Sequence, residues 1–227
     1  MLNVFIGFDS RETVAFHVLA HSILERATRP VSITALVQRQ LRHAGSYGRE
    51  RGATESTEFS LTRFLVPYLA GYKGQAIFMD CDMLCRADLT QLTDEIAVRE
   101  SHEGRKAVWV CQHDYTPKDS TKFLGQQQTA YPRKNWSSFM LFNCDLCETL
   151  TPDYVHHATG LELHRFHWLP DDQIGSLPLE WNWLIGEYPM NPDAKVLHYT
   201  LGGPWFSEYQ TCDHSPEWFA EKERMIG

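Results

Sequence analysis

The apolar positions of this chain fall in short unbroken runs, and polar groups gather where those runs end. Asn3 to Phe8 (NVFIGF), Val31 to Val37, Ala76 to Met79, Ala107 to Cys111 (AVWVC) and the end of Asn135 to Asn143 (NWSSFMLFN) have strand length. In Ala76 to Met79 the lack of polar alternation is the pattern of a strand covered on both faces. Between the first two runs, Val14, Val18, Leu19 and Ile23 recur at helical spacing to about Arg26, and Pro30 marks the exit. Strand, helix and strand in that order predict a parallel pair joined by a right-handed crossover. Asp9 stands where a helix cap is needed, with Glu12 at the spacing of a capping box.

Further along, Gln38 to Thr57 is polar, holds three glycines and Arg39, Arg42, Arg49 and Arg51, and reads as a loop or lid. Phe59 to Leu69 has a helical pattern that Pro67 is expected to kink or end. A short amphipathic stretch to Val98 precedes a polar loop from Glu100 to Lys106, and Thr116 to Lys134 reads as a long functional loop. Thr151 to Trp168 is predicted helical, and Val196 to Tyr199 forms a last short strand running into Thr200-Leu201-Gly202-Gly203-Pro204-Trp205. Strands alternating with helices predict an α/β protein. With 227 residues and no interdomain linker, the chain reads as a single domain, 1–227.

Composition narrows the partners. The formal charge of -8 argues against a nucleic-acid binder, which needs a basic field. No apolar stretch reaches membrane-spanning length, and Asp9, Arg11 and Glu12 interrupt the N-terminus before a signal-peptide core could form. The expectation is a cytoplasmic protein, with peripheral attachment at the inner face of a membrane as a variant of it. Six cysteines in or beside apolar runs suggest free thiols in a reducing compartment, and Cys144-x-x-Cys147 lacks the second pair that a zinc site requires.

The chemistry lies at the strand ends. Asp80 and Asp82 close the Ala76–Met79 run, and two carboxylates one residue apart at a break in a strand can converge on a hard cation. The carboxyl edge of an open α/β sheet is also where ligands bind. His198, at the end of the last strand beside Gly202 and Gly203, is a candidate third ligand. Gly7-Phe8-Asp9, followed by a helix N-terminus, suits a nucleotide, although no G-x-G-x-x-G is present. Ser137 and Ser138 are small enough to admit a ligand close to the backbone, and Asp171 and Asp172 precede an apolar turn. Trp181 and Trp183 follow them, a composition suited to stacking on sugars or to core packing. His164 and His167 read as partly buried polar side chains.

These pieces occur in a telling order: GFD after the first strand, S-x-x-R-F before the acidic strand, FMDCD, N-x-S-x-x-M-L-F-N, DDQ and HYTLGGPW. Together, from Asn3 to Trp205, they resemble the GT-A glycosyltransferases of family eight, whose members include glycogenin and bacterial lipooligosaccharide galactosyltransferases. The resemblance implies a single GT-A domain with a mixed, mostly parallel central sheet flanked by helices. It also implies a hexosyltransferase that takes a UDP-sugar donor and acts with retention of configuration.

By position it assigns Asp80, Asp82 and His198 to manganese, with magnesium as the alternative, and Gly7, Phe8 and Asp9 to uracil and ribose. Arg63 and Asp80 would meet the donor sugar or its phosphates, Asp171 the sugar hydroxyls, and Asp172 stands nearest the reacting carbon. Three positions depart from the family pattern: Trp136 replaces its asparagine, Ser138 its glycine, and the last loop is one residue shorter with Gly203 in place of lysine. That loop holds no basic residue, so the charge on a departing diphosphate falls to the metal alone, to the Gly202-Gly203 amides, or to a basic side chain, Arg63 first and then Arg11, Arg133 or Lys134. The acceptor is a glycan, a lipid or a small molecule.

Two other classes share parts of the pattern. A haloacid-dehalogenase-like phosphohydrolase would use Asp80 as nucleophile, and a non-catalytic carbohydrate-binding module would use the tryptophans alone.

Overall fold

The computed structural model of the protein describes residues 1–52, 55–117 and 132–227. Its framework is a six-stranded sheet in the order β2-β1-β3-β6-β5-β7, comprising β1 (Leu2–Gly7), β2 (Val31–Leu36), β3 (Gln75–Met79), β5 (Val108–Cys111), β6 (Phe139–Asn143) and β7 (Ile174–Leu177). β6 runs antiparallel to β3 and β5, and every other neighbouring pair is parallel, as the mixed sheet requires. β3, β5 and β6 are apolar on both faces because helices and turns cover both. Ile77, Phe78, Val108, Trp109, Leu141 and Phe142 are all fully buried, and each such side chain contributes about 1.5–3 kcal/mol by leaving water.

A second, three-stranded sheet was not anticipated. It joins β4 (Met83–Cys85), β9 (Val196–His198) and β8 (Trp183–Leu184) in the order β4-β9-β8. Helix α1 (Thr13–Arg26) lies over β4. Val18 of α1, Leu84, Leu197 and Tyr199 form this sheet's own small core with Trp218 of α7 (Ser215–Ile226).

Several helical expectations change. Gln38–His43 is a short helix, α2, rather than loop. Phe59 to Leu69 resolves into a 3-10 turn, Thr62–Leu65, and α3 (Val66–Leu69). Pro67 occupies the first turn of α3, where a missing N–H costs no hydrogen bond, so it opens that helix instead of ending another. α4 (Leu89–Glu103) absorbs most of the expected polar loop: the Asp88 carboxylate accepts from the Thr90 amide at its start, and Gly104, at φ 81°, ends it. Thr151 to Trp168 divides into α5 (Pro152–His157) and α6 (Gly160–His164), because Ala158 is extended and Thr159 starts a new capping box with Glu162. Of the expected functional loops, residues 53–54 and 118–131 lie outside the described residues. Among the described residues, no helix is long and apolar enough to cross a membrane.

Candidate metal centre

The two sheets meet at the carboxyl end of β3. There the chain leaves Met79, passes through Asp80, Cys81 and Asp82, and re-enters a sheet as β4. The Asp80 amide donates to the carbonyl of Ser138 at 2.9 Å, extending the β3–β6 ladder by one residue and fixing where its carboxylate starts. Asp82 is fixed from the other sheet. Met83 pairs with His198 in the antiparallel β4–β9 register, and the Tyr199 amide donates to the Asp82 carbonyl at 2.9 Å. His198 is thereby set beside Asp82, with Nε2 3.3 Å from Asp82 Oδ1. Ligand atoms of Asp80, Asp82 and His198 lie within 4.8 Å of one another. Residues 118 apart in sequence thus share one point because two ladders end there.

The orientation of His198 is determined by a residue with no expected role. Asn182 donates its amide nitrogen to Ser138 Oγ at 2.8 Å and to the Asn135 carbonyl at 3.3 Å. Its amide oxygen therefore faces His198 Nδ1, 2.9 Å away, so that Nδ1 carries the proton and Nε2 is the atom offered to a cation. Ser138 in turn donates to the Asn135 carbonyl at 2.7 Å. Two hard oxygen donors and one oriented imidazole fit a divalent cation such as manganese.

The two nearest candidate arginines are already engaged within the protein. Arg63, buried, lies 2.8 Å from Asp80 Oδ1 through a guanidinium nitrogen, which also donates to the Ser137 carbonyl at 2.9 Å. Its Nε donates to the Ser60 carbonyl, and its planar head lies against the rings of Phe59 and Phe78. The expected phosphate ligand is thus built into the wall as the countercharge of Asp80. Arg11 forks onto the fully buried Asp9 at 2.8 and 2.6 Å, and the amides of Arg11 and Glu58 donate to it at 2.9 and 3.1 Å. Burial alone would push the Asp9 carboxyl up, but these hydrogen bonds hold it below the usual range. Glu12 makes no reciprocal cap; only Asp9 of the expected capping box acts, accepting from the Arg11 amide. Gly7 has its reason in packing, since a Cβ there would enter the ring of Phe59.

Ser137 and Ser138 are buried, and Ser137 Oγ lies 2.7 Å from His164 Nδ1, so both hydroxyls serve the scaffold. Burial and the nearby Arg63 and Lys134 charges push His164 down to about 3. Gly202 adopts φ 137°, a region that favours glycine, and a Cβ on Gly203 would enter the Trp205 ring, which shapes the last loop tightly against the site.

Asp171 and Asp172 sit apart. The parallel register places Ile174 beside Val108, at the start of β5, so the turn before β7 lies at the sheet edge opposite the one that Asp80 leaves. Asp171 has a side chain 79% exposed and pairs with Arg133 at 2.7 Å, and Lys106 holds the Asp172 carbonyl at 2.9 Å. Trp181 is buried core against Phe139, and Trp183 is half-buried, its indole donating to the Pro189 carbonyl. All six cysteines are free thiols, and burial pushes Cys144 up to about 12, which disfavours the thiolate a zinc pair would need.

The chain is similar to Protein CDI of Arabidopsis thaliana, at 48% identity over 227 residues, covering 97% of this chain and 85% of that protein. No family model matches it. Among solved structures, the bifunctional glycosyltransferase WbbM in its apo form superposes with a TM-score of 0.64 and 16% identity. That match covers 97% of this chain and 49% of WbbM, so the chain spans about half the length of that protein. The galactosyltransferase LgtC, in complex with donor and acceptor sugar analogs, gives a TM-score of 0.57 at 11% identity over 99% of this chain and 96% of its own. The fold is that of the GT-A-like glycosyltransferases.

Proposed function

The chain belongs to the family of Protein CDI of Arabidopsis thaliana, and we propose that it is a metal-dependent glycosyltransferase moving a hexose from a UDP-sugar to an acceptor hydroxyl with retention of configuration. One observation carries the reading: Asp80, Asp82 and an oriented His198 converge where the sheets of a GT-A-like fold meet. Manganese, or magnesium in its place, would be held by these three residues and would supply Lewis-acid neutralisation of the donor diphosphate.

The chain's own groups supply the rest. The Gly7-Phe8-Asp9 edge takes the nucleoside, with Asp9 held in place by Arg11 and Glu58. Arg63 fixes Asp80, and the amides of the Gly202-Gly203 loop are the chain's candidates for meeting the phosphates. The acceptor is a glycan, a lipid-linked sugar or a small alcohol. Buried free thiols support a reducing, cytoplasmic setting. The ion pair of Asp80 with Arg63 and the presence of His198 in the cluster favour this reading over a phosphohydrolase with Asp80 as nucleophile.

Calorimetry of UDP binding with and without manganese tests it directly. The expected result is tight binding only when both are present; UDP affinity that ignores the cation would overturn the reading.

A further inference from the structure

The hydrogen bonds behind His198 take their direction from one backbone carbonyl. A carbonyl oxygen can only accept. That of Asn135 receives the Ser138 hydroxyl at 2.7 Å and the Asn182 amide nitrogen at 3.3 Å. With its proton given to Asn135, the Ser138 hydroxyl is left to accept, and it takes the same Asn182 nitrogen at 2.8 Å. Two acceptors thus hold the nitrogen end of the Asn182 amide, and its oxygen end is left for His198 Nδ1 at 2.9 Å.

Asn135 directs its carbonyl from an uncommon conformation. It lies at φ 62° and ψ 4°, in the left-handed region, immediately before the 3-10 turn Trp136–Ser138. Residues with a Cβ are disfavoured there, asparagine less than most, whereas glycine enters freely. The side chain explains why asparagine stands here rather than glycine. Its amide nitrogen donates to the Tyr115 hydroxyl at 2.7 Å and to Thr200 Oγ1 at 3.4 Å, joining the segment after β5 to the start of the last loop.

We infer that Asn135 is a positioning residue of the cation site: its left-handed backbone aims the carbonyl that, through Ser138 and Asn182, decides which nitrogen of His198 is offered to the cation. This rests on the cation reading proposed above. Asn135 acts through Asn182 and is itself neither a ligand nor a sugar contact.

Titration with manganese alone, without nucleotide, of Asn135→Gly and Asn135→Ala tests the inference. Both variants lose the side-chain amide and differ only in backbone freedom. Glycine keeps the left-handed turn. Alanine relaxes out of it while the site is empty and must return to it on binding, so Asn135→Ala should bind manganese about tenfold more weakly than Asn135→Gly, the factor to which the left-handed penalty corresponds. Combined with Asn182→Leu, the gap between the two should close, because the link to His198 is gone. A general loss of packing would leave that gap open. Should the alanine variant not fold, Ser138→Ala takes its place, and an at least about tenfold loss is expected from it as a group supporting a ligand. Equal manganese affinities of the glycine and alanine variants, a gap that persists without Asn182, or parent-like affinity in Ser138→Ala would overturn the role of Asn135 and leave the transferase reading standing. A parent that binds no manganese would overturn both.

Discussion

Glu12 and Glu221 are two glutamates of equal burial near the two ends of α1, and they are treated in opposite ways. Glu221, on α7, is fully buried and receives Arg26 at 2.9 Å, His21 at 2.7 Å and Arg224. Burial pushes its carboxyl up, but those hydrogen bonds and charges bring it down to about 2. Glu12 has acids around it and no hydrogen bond. The first glutamate pins α7 against α1 and is satisfied by the fold alone. The second has no hydrogen bond from the fold, and the carboxylates of Asp82, Asp9 and Asp80 are its charged neighbours. Burial therefore says little about the purpose of a charged side chain, and the identity of its neighbours says much more.

The comparison is most easily broken at the ligands. Asp82→Ala should weaken manganese-dependent UDP binding by about a hundredfold or more, beyond what a supporting group provides, and leave the circular dichroism spectrum unchanged. Retained metal dependence in that variant would take the cation away from Asp80, Asp82 and His198. One layer out, Asn182→Leu removes the group that orients His198, and a loss of about 10- to 100-fold in manganese affinity is expected from isothermal titration.

At the other end of α1 the effect should be on stability alone. Glu221→Gln removes the charge from a buried hub whose basic partners are partly hydrated, so urea denaturation should show a loss of about 1–3 kcal/mol. The sign with pH follows from the lowered carboxyl. Its stabilisation is complete above its ordinary value of 4.5, falls as pH drops through that value, and is gone below about 2, so the parent and the variant should converge in acid. Manganese affinity should be untouched, and a change there would erase the distinction between the two glutamates.

The smallest effect is expected at Asp172, which is exposed and at the far sheet edge. Asp172→Asn should leave stability within about 0.5 kcal/mol, as exposed substitutions do, with manganese affinity and sugar transfer little changed. A large fall in turnover at constant manganese affinity would instead put this acid against the sugar.

Much of the molecule was readable in the chain. Apolar runs located β1, β3, β5, β6 and β9 within a residue or two at most ends, because a strand buried on both faces leaves no room for polar positions, and β2, only half-buried, was legible from its β-branched residues instead. Asp80, Asp82 and His198 were legible for a related reason: polar groups directly after such runs are held at a sheet edge. Helix ends were less legible. Pro67 both ends and starts helices, and only the preceding turn decides which.

What the chain could not disclose was who meets whom. Asp171 and Asp172 look from sequence as well placed as Asp80 and Asp82, yet the β5–β7 register sends them to the opposite edge, and register is a property of pairing between distant segments. Arg63 reads from sequence only as a cation near a phosphate site, and the packed structure adds its ion pair with Asp80 and its hydrogen bonds to the Ser60 and Ser137 carbonyls. Asn182 is an unremarkable residue between two tryptophans until β8 is laid beside β9, and Glu12 is half of a helix cap until its oxygens are found without partners. Residue type and local pattern determine the elements and the groups at their ends. Which charges neutralise one another, and which stay unmatched for a ligand, depends on distances that only the packed tertiary structure sets.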